Sequence, residues 1–324
     1  MIFFGGDVVV KKSTRIKMDA NWGHASTMTI VRKNISLYLL LIPGIIYLII
    51  FKYVPIGGLI MAFQDFNLFK GFLGSEWVGL EQFQRLFTSP DFYRIFRNTL
   101  LINTYKIIFG FPIPILLAIM LNEIRFTPVK KVSQTIVYLP HFLSWIIVSG
   151  LFINILSASN GIVNQIIKGF GGDPIAFMSD TQWFRTVLVF TDTWKEMGWS
   201  AIVYIAAIAG VDQELYEAAR VDGASRLRQI WHVTLPGIAS TIVLMFILKL
   251  GSIMSGGFDQ VLTMYNPAVY EVGDIIQTYV YRIGLGKQQY SFSAAVGMFN
   301  SVIGFVLTIT GNFVSKKISG RSIW

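Results

Sequence analysis

Apolar residues along the chain gather into six long stretches, near Ile35 to Ala62, Asn98 to Leu121, Gln134 to Leu156, Thr186 to Ala209, Gly237 to Met254 and Ser293 to Val314. Between them lie polar connectors marked by Gly, Pro and charge. A hydrocarbon layer of roughly 30 Å is crossed by about 20 residues of helix, and each stretch is close to that length or longer. Backbone groups in lipid must be satisfied within the segment, so these stretches are expected to be helices. The expectation is an all-α integral membrane protein with six transmembrane helices over residues 35–314. Pro55, Pro112 and Pro114 fall inside the first two stretches and predict local breaks in their winding.

Composition agrees with that pattern. Of 324 residues, 53% are hydrophobic and only 14% charged, too little charge to cover a soluble surface of this size. The net charge of +9 could suggest nucleic acid, but its distribution points elsewhere. With the N-terminus placed in the cytoplasm, fifteen Lys and Arg lie in inside segments, eight in outside segments and four within spans, as the positive-inside rule requires. Both termini are then cytoplasmic, with a basic tail over residues 1–34 suited to an anionic inner leaflet and a C-terminal tail over 315–324. The opening MIFFGGDVVV is too short for a cleavable leader, carries Asp7 and precedes its basic cluster, so the first span is expected to act as its own signal anchor.

Residues 212–236 form an unusually structured polar connector between two apolar stretches. Asp212 is placed to cap a helix over Gln213 to Val221, and Gly223 permits a turn that a side chain would obstruct. Ser225 to Val233 is expected to resume as a second short helix, stopped before Pro236. Leu215, Ala218, Ala219 and Ala224 are assigned to its buried face, and Arg220, Arg226 and Arg228 to its wet face. An ordinary amphipathic loop is the plainer reading of such a segment. The charge distribution puts the knob on the cytoplasmic side.

Several chemistries are missing from the sequence. There is no cysteine, so no disulfide, thiol nucleophile or cysteine metal site arises. His24, His141 and His232 fall on different segments, which argues against a metal cluster. No phosphate-binding G-x-x-x-x-G-K-[ST] occurs; Gly284-Leu285-Gly286-Lys287 lacks the first glycine and the hydroxyl residue. Neither a nucleophile elbow nor HExxH is found. The chain is not expected to be an enzyme, and ATP-driven transport would need an engine on another subunit.

The run EAARVDGASRLRQIWHVTLP, from Glu217 to Pro236, resembles the EAA signature of binding-protein-dependent ABC importer permeases, the elements being Glu217-Ala218-Ala219, Asp222-Gly223-Ala224, Ile230 and Leu235-Pro236. The resemblance extends from about Tyr38 to the C-terminus and is nearest to the six-span carbohydrate uptake permeases of the LplB-like branch, to which alginate oligosaccharide importers belong. It is carried by LIPGIIYLIIFKYVPIGGLIMAFQDF, WVGLEQFQRLF, LLAIMLNEI and VLTMYNPAVYEVGDIIQTYVYRIGL. It implies a coupling helix at residues 212–236 that docks on an ATPase subunit. It also implies a second homologous permease, two ATP-binding subunits holding ATP and Mg, an external solute-binding protein and an oligosaccharide substrate. No cofactor is implied for this chain, and no nucleic acid partner.

On the assigned topology Lys52, Lys106, Lys195 and Lys249 fall in the outward half of the membrane. Intramembrane lysines must snorkel, pair or face water. Lys52 is placed to snorkel, and Lys195 could pair with Asp192 one turn earlier. Alternatively Lys106, Lys195 and Lys249 line an outward cavity and offset the charge of an acidic sugar. Asp192, Trp194, Lys195, Glu196 and Trp199 crowd the fourth stretch and offer carboxylates and rings suited to sugars, although Trp183 and Trp194 also fit an interfacial belt. The outer loop 255–292 is too long and too aromatic for a simple connection; it would contact the binding protein or cap the spans. Alternating access follows if ATPase closure moves the knob as a rigid body. The rivals are an ion-coupled secondary sugar transporter using Asp192 and Glu196, which leaves the knob unexplained, and a membrane enzyme, for which no paired catalytic groups are seen.

Overall fold

The computed structural model describes residues 34–254 and 256–319. The expected N-terminal tail, apart from Asn34, lies outside them, with His24, and so does the end of the C-terminal tail with Arg321. The chain forms two units, residues 1–58 and 59–324. In the first, the α-helix Ile35–Leu48 passes into a wide (π) turn at Ile49–Tyr53, just before Pro55. Its apolar side chains stand exposed, as in a segment whose solvent is hydrocarbon. Lys52 is exposed as well.

Three segments are long and apolar enough to cross a membrane outright: Ile35–Phe63, Pro90–Glu123 and Tyr290–Phe313. The second changes winding at Lys106–Gly110, directly ahead of Pro112 and Pro114, because a proline removes one N–H from the ladder and crowds the preceding turn. Two further segments qualify only as bent pairs. The third expected stretch is not one straight span: Thr127–Phe142 and Trp145–Ile155 meet at 103°. Pro140 sits in the tightened turn Leu139–Phe142, and Ser144 Oγ then caps the new helix by accepting from the Ile147 N–H at 3.3 Å. The fifth is likewise bent, by 62°, between Arg226–Gly237 and Ala239–Gly251.

The fourth stretch is the helix Phe184–Ala209, of 26 residues. It is about 39 Å long at 1.5 Å per residue. Every membrane-length portion of it contains Asp192, Lys195 and Glu196, so it does not qualify on apolarity. It is nonetheless the centre of the larger unit. Its N-terminal half gives Phe184 and Leu188 to one core cluster, with Val148, Phe152, Val261 and Ile275. Its C-terminal half gives Ala201, Tyr204 and Ile208 to another, with Ala118, Ile119 and Ile238. The charged middle lies between two apolar clusters. Gly198 lets this helix approach closely, since a Cβ there would stand 2.1 Å from the Val137 carbonyl oxygen. Close approach through small residues is how helices gain packing energy in lipid, where burying apolar surface supplies little.

The expectation of an all-helical protein needs only a small addition, a two-residue antiparallel ladder pairing Gln64 with Trp77 and Asp65 with Glu76. The described part of the outer loop is folded, with helices at Phe258–Met264 and Ile276–Tyr281. Asp274, fully buried, accepts hydrogen bonds from Thr278 Oγ1 at 2.8 Å and from both terminal nitrogens of Arg282. Burial alone would lower the pKa of the Arg282 guanidinium, but its hydrogen bond and charge interaction with Asp274 outweigh that and raise it. The guanidinium also lies 4.6 Å from the Tyr270 ring centroid. The loop is fastened to its neighbours through Asn98, whose Nδ2 donates to the Glu271 carbonyl at 2.8 Å while its Oδ1 accepts from Arg185 at 2.8 Å. Much of its polar and aromatic content therefore turns inward, while Asp259, Glu271, Tyr281, Lys287 and Gln288 are exposed.

Candidate functional site

Pro90–Glu123, Phe184–Ala209 and Ala239–Gly251 enclose a cleft of about 60 Å³ lined by Lys106, Asp192, Glu196, Tyr204, Met245 and Lys249, among others. Asp192, Glu196, Ser200 and Tyr204 follow one another at four-residue spacing and so share a helix face. Lys106 is 3% exposed; its ammonium donates to Asp192 Oδ1 at 2.9 Å and to Gln260 Oε1 at 2.5 Å. Gln260, itself fully buried, is held by its amide nitrogen donating to the Leu188 carbonyl and to Thr191 Oγ1, both at 2.7 Å. A charge this deep is tolerable because it is paired with a carboxylate and hydrogen-bonded to an amide that is itself held in place.

The expected pairing of Lys195 with Asp192 is not what forms. Lys195 turns instead to an adjacent face, where its Nζ donates to the His141 carbonyl at 2.8 Å and to Glu196 Oε1 at 3.1 Å, 5.4 Å from the Trp145 ring centroid. Asp192 is taken by Lys106, whose helix faces it across the cleft. The second Glu196 oxygen meets His141 Nδ1 at 2.8 Å. The His141 ring in turn stacks on Trp199, with centroids 4.5 Å apart. Of the expected path residues, the structure therefore brings Lys106, Asp192, Glu196 and Lys249 to one cleft. It removes Lys195 and Trp199 to the His141 cluster, and packs Trp194 edge-on against Phe152 at 5.3 Å. Gln260 was missed by sequence reasoning because it stands in the short helix Phe258–Met264 between the spans, beside Asp259, where a polar residue draws no notice.

The second site is the polar knob. Asp212 Oδ1 accepts from the Glu214 N–H at 3.0 Å and caps the helix Gln213–Val221. That helix ends at Gly223, whose φ of +73° is left-handed. The Ala224 N–H bonds to the Ala219 carbonyl at 2.8 Å and the Gly223 N–H to the Arg220 carbonyl at 3.1 Å, the two bonds of a Schellman turn. A Cβ at Gly223 would meet open space, so glycine is required there by backbone conformation rather than by room. Gln229 Nε2 then donates to the Ala224 carbonyl at 2.9 Å, and Tyr216 and Thr234 join through their hydroxyls at 3.0 Å. These bonds make one rigid piece of the two short helices.

Two expectations for the knob are corrected. The second helix does not stop before Pro236 but continues from Arg226 to Gly237. A wide turn over Ile230–Thr234 opens the ladder where Pro236 could not donate, so the ring is accommodated. Nor do Leu215 and Ala218 bury; both are exposed, whereas Ala219 and Ala224 are half-buried. The inward contacts come from Tyr216, Ile230, Val233 and Leu235, which pack on the cluster containing Ile208 and Ile238. Glu217, Asp222 and Pro236 are exposed, as are Arg220, Arg226 and Arg228. Val221, Leu227 and Trp231 stand 88%, 70% and 67% exposed, so the knob presents large apolar side chains beside its arginines. Arg226 reaches back to Glu123 at 3.3 Å.

Membrane-length helices around a charged cleft, joined to a rigid polar knob, are the parts of a membrane transport subunit. Residues 110–320 match the family described as "Binding-protein-dependent transport system inner membrane component", and the chain belongs to that family. Its relatives include the polygalacturonan/rhamnogalacturonan transport system permease protein YteP of Bacillus subtilis, 47% identical over 89% of this chain and 90% of that one. Protein LplB of the same organism is 43% identical over 98% of this chain and all of that one. Among solved structures, a chain of a bacterial alginate ABC transporter, in complex with an alginate pentasaccharide-bound periplasmic protein, superposes with a TM-score of 0.84. It is 39% identical, over 92% of this chain and 99% of that chain. A second alginate importer structure gives 0.83 at 40% identity, over 90% and 98%. The protein is a permease subunit of an ABC importer, an inner membrane component with several apolar helices.

Proposed function

We propose that this permease carries oligosaccharides, acidic ones such as alginate- or pectin-derived oligouronates, from an extracytoplasmic solute-binding protein into the cytoplasm. It works as half of a heterodimer with a second homologous permease. ATP and Mg are bound by two partner ATPase subunits, and this chain is non-catalytic. Both termini face the cytoplasm. The relatives named for polygalacturonan, rhamnogalacturonan and alginate transport support the acidic substrate class.

The observation that carries the ATP-driven reading is the knob over residues 212–236. Its inner face is packed on the membrane part through Tyr216, Ile230, Val233 and Leu235, and its outer face exposes Leu215, Val221 and Leu227. Exposed apolar residues on a rigid support are what a protein partner covers. ATPase closure would push this piece, and the helix Arg226–Gly237 would pass the displacement on to Ala239–Gly251. The cleft of about 60 Å³ has room for a few waters and none for a saccharide, so passage requires it to open. Asp192 and Glu196, the carboxylates an ion-coupled carrier would use, are both engaged in ion pairs.

The test is co-purification of the tagged chain from membranes. The chain is expected to bring a second permease and an ATPase subunit with it, and Leu215→Asp with Leu227→Asp to lose the ATPase subunit alone, at unchanged membrane content of the chain. Retention of the ATPase subunit by that double variant would remove the knob from the docking role.

A further inference from the structure

Four charged side chains line the cleft, and three of them are already neutralised. Lys106 is matched by Asp192 at 2.9 Å, and Glu196 by Lys195 at 3.1 Å with His141 on its other oxygen. Lys249 is the fourth. It sits in the last turn of Ala239–Gly251, half-buried, and among the described residues its ammonium makes no hydrogen bond or ion pair. An intramembrane ammonium without a partner has to be satisfied by water or by a ligand entering the cleft. The unengaged charge of the cleft is therefore a single positive one.

We infer that Lys249 is the residue in this chain that recognises a carboxylate of the passing saccharide, while Lys106 is a structural cation whose charge is spent on Asp192 and Gln260. The inference rests on the importer reading above. Its chemistry is one charge-assisted hydrogen bond from Nζ to a uronate carboxylate, made as that sugar unit passes the cleft. The neighbours fit such a transit site. Met245, Phe111 and Met197 give apolar surface for the C–H faces of a sugar, and Ser200 a hydroxyl. Binding must also be weak enough to release, and one uncompensated charge grips less than the three that a count of intramembrane lysines would suggest.

The experiment is uptake by proteoliposomes holding the complete importer, with its binding protein outside and ATP inside. The probes are a uronate trimer and the same trimer with its carboxyls reduced to alcohols. Lys249→Gln is expected to lower the ratio of charged to reduced uptake by about tenfold to a hundredfold, the size of one charge-assisted hydrogen bond, and Lys249→Arg to restore it. Lys106→Gln is expected to lower uptake of both trimers together, with a fall in thermal stability of the detergent-solubilised complex. An equal ratio for Lys249→Gln and the unaltered protein would overturn the inference and leave the importer reading standing. Absence of ATP-driven uptake of either trimer by the unaltered importer would overturn both.

Discussion

At Asp192 the molecule places a carboxylate in the middle of a helix that crosses between two apolar clusters, and answers it with Lys106 from another helix. Truncating one partner of a buried pair leaves the other charge uncompensated, which costs about 3–5 kcal/mol. Asp192→Leu alone is expected to lower the unfolding temperature of the detergent-solubilised protein markedly, and Asp192→Leu with Lys106→Met to recover most of that loss. A double variant no more stable than the single would show that the ion pair is not the reason these residues are present. The presence of a charged site was legible in the sequence, because few charges interrupt the apolar stretches and each stands out. Its wiring was not. Lys195 is three residues from Asp192 and on sequence grounds the natural partner, yet Lys106 is 86 positions away and takes it. Which face of a helix meets which neighbour is decided by tertiary packing, and a periodicity leaves that undecided when charges occupy adjacent faces.

At the scale of elements, helix existence followed from apolar length, and the departures occur where proline or serine alters the backbone ladder. Pro140 and Ser144 turn the third stretch through 103°, an angle that a count of apolar residues does not contain. The central helix and Thr127–Tyr138 meet through Gly198, where an added methyl would lie well inside contact distance of a backbone oxygen. Gly198→Ala is accordingly expected to push these helices apart by a few tenths of an ångström or more and to destabilise the protein by about 1–3 kcal/mol, as overpacking does. Thermal unfolding in detergent checks this, and an unchanged midpoint would mean that the two helices already separate freely. The outer loop shows the opposite limit of sequence reading. Its length and aromatic content identified it as ordered, but only the contacts reveal that Asp274 and Arg282 serve its own fold.

For the whole molecule, the proposed transport cycle needs docking and transmission, and it assigns these to different residues of the knob. Leu215, Val221 and Leu227 form the outward surface, whereas Gly223 holds the turn that keeps its two helices together. Gly223→Val would force a β-branched residue into a left-handed conformation without touching the docking face. Such a protein is expected to keep its ATPase subunit and its place in the membrane, while uptake and binding-protein-stimulated ATP hydrolysis fall at least tenfold. Normal stimulation in the variant would assign transmission to another contact, with Arg226 and Glu123 the next pair to remove.

The wide turn at Ile230–Thr234 has a consequence for phase. It holds one residue more than an α-turn, so everything before it is indexed by about 100° relative to an uninterrupted helix. The bearing of Leu227, and with it the compass direction in which the proposed ATPase partner would stand, is set by a single surplus residue in the shaft. Chains that share this signature but lack the extra residue would need their engine mounted about a quarter-turn away.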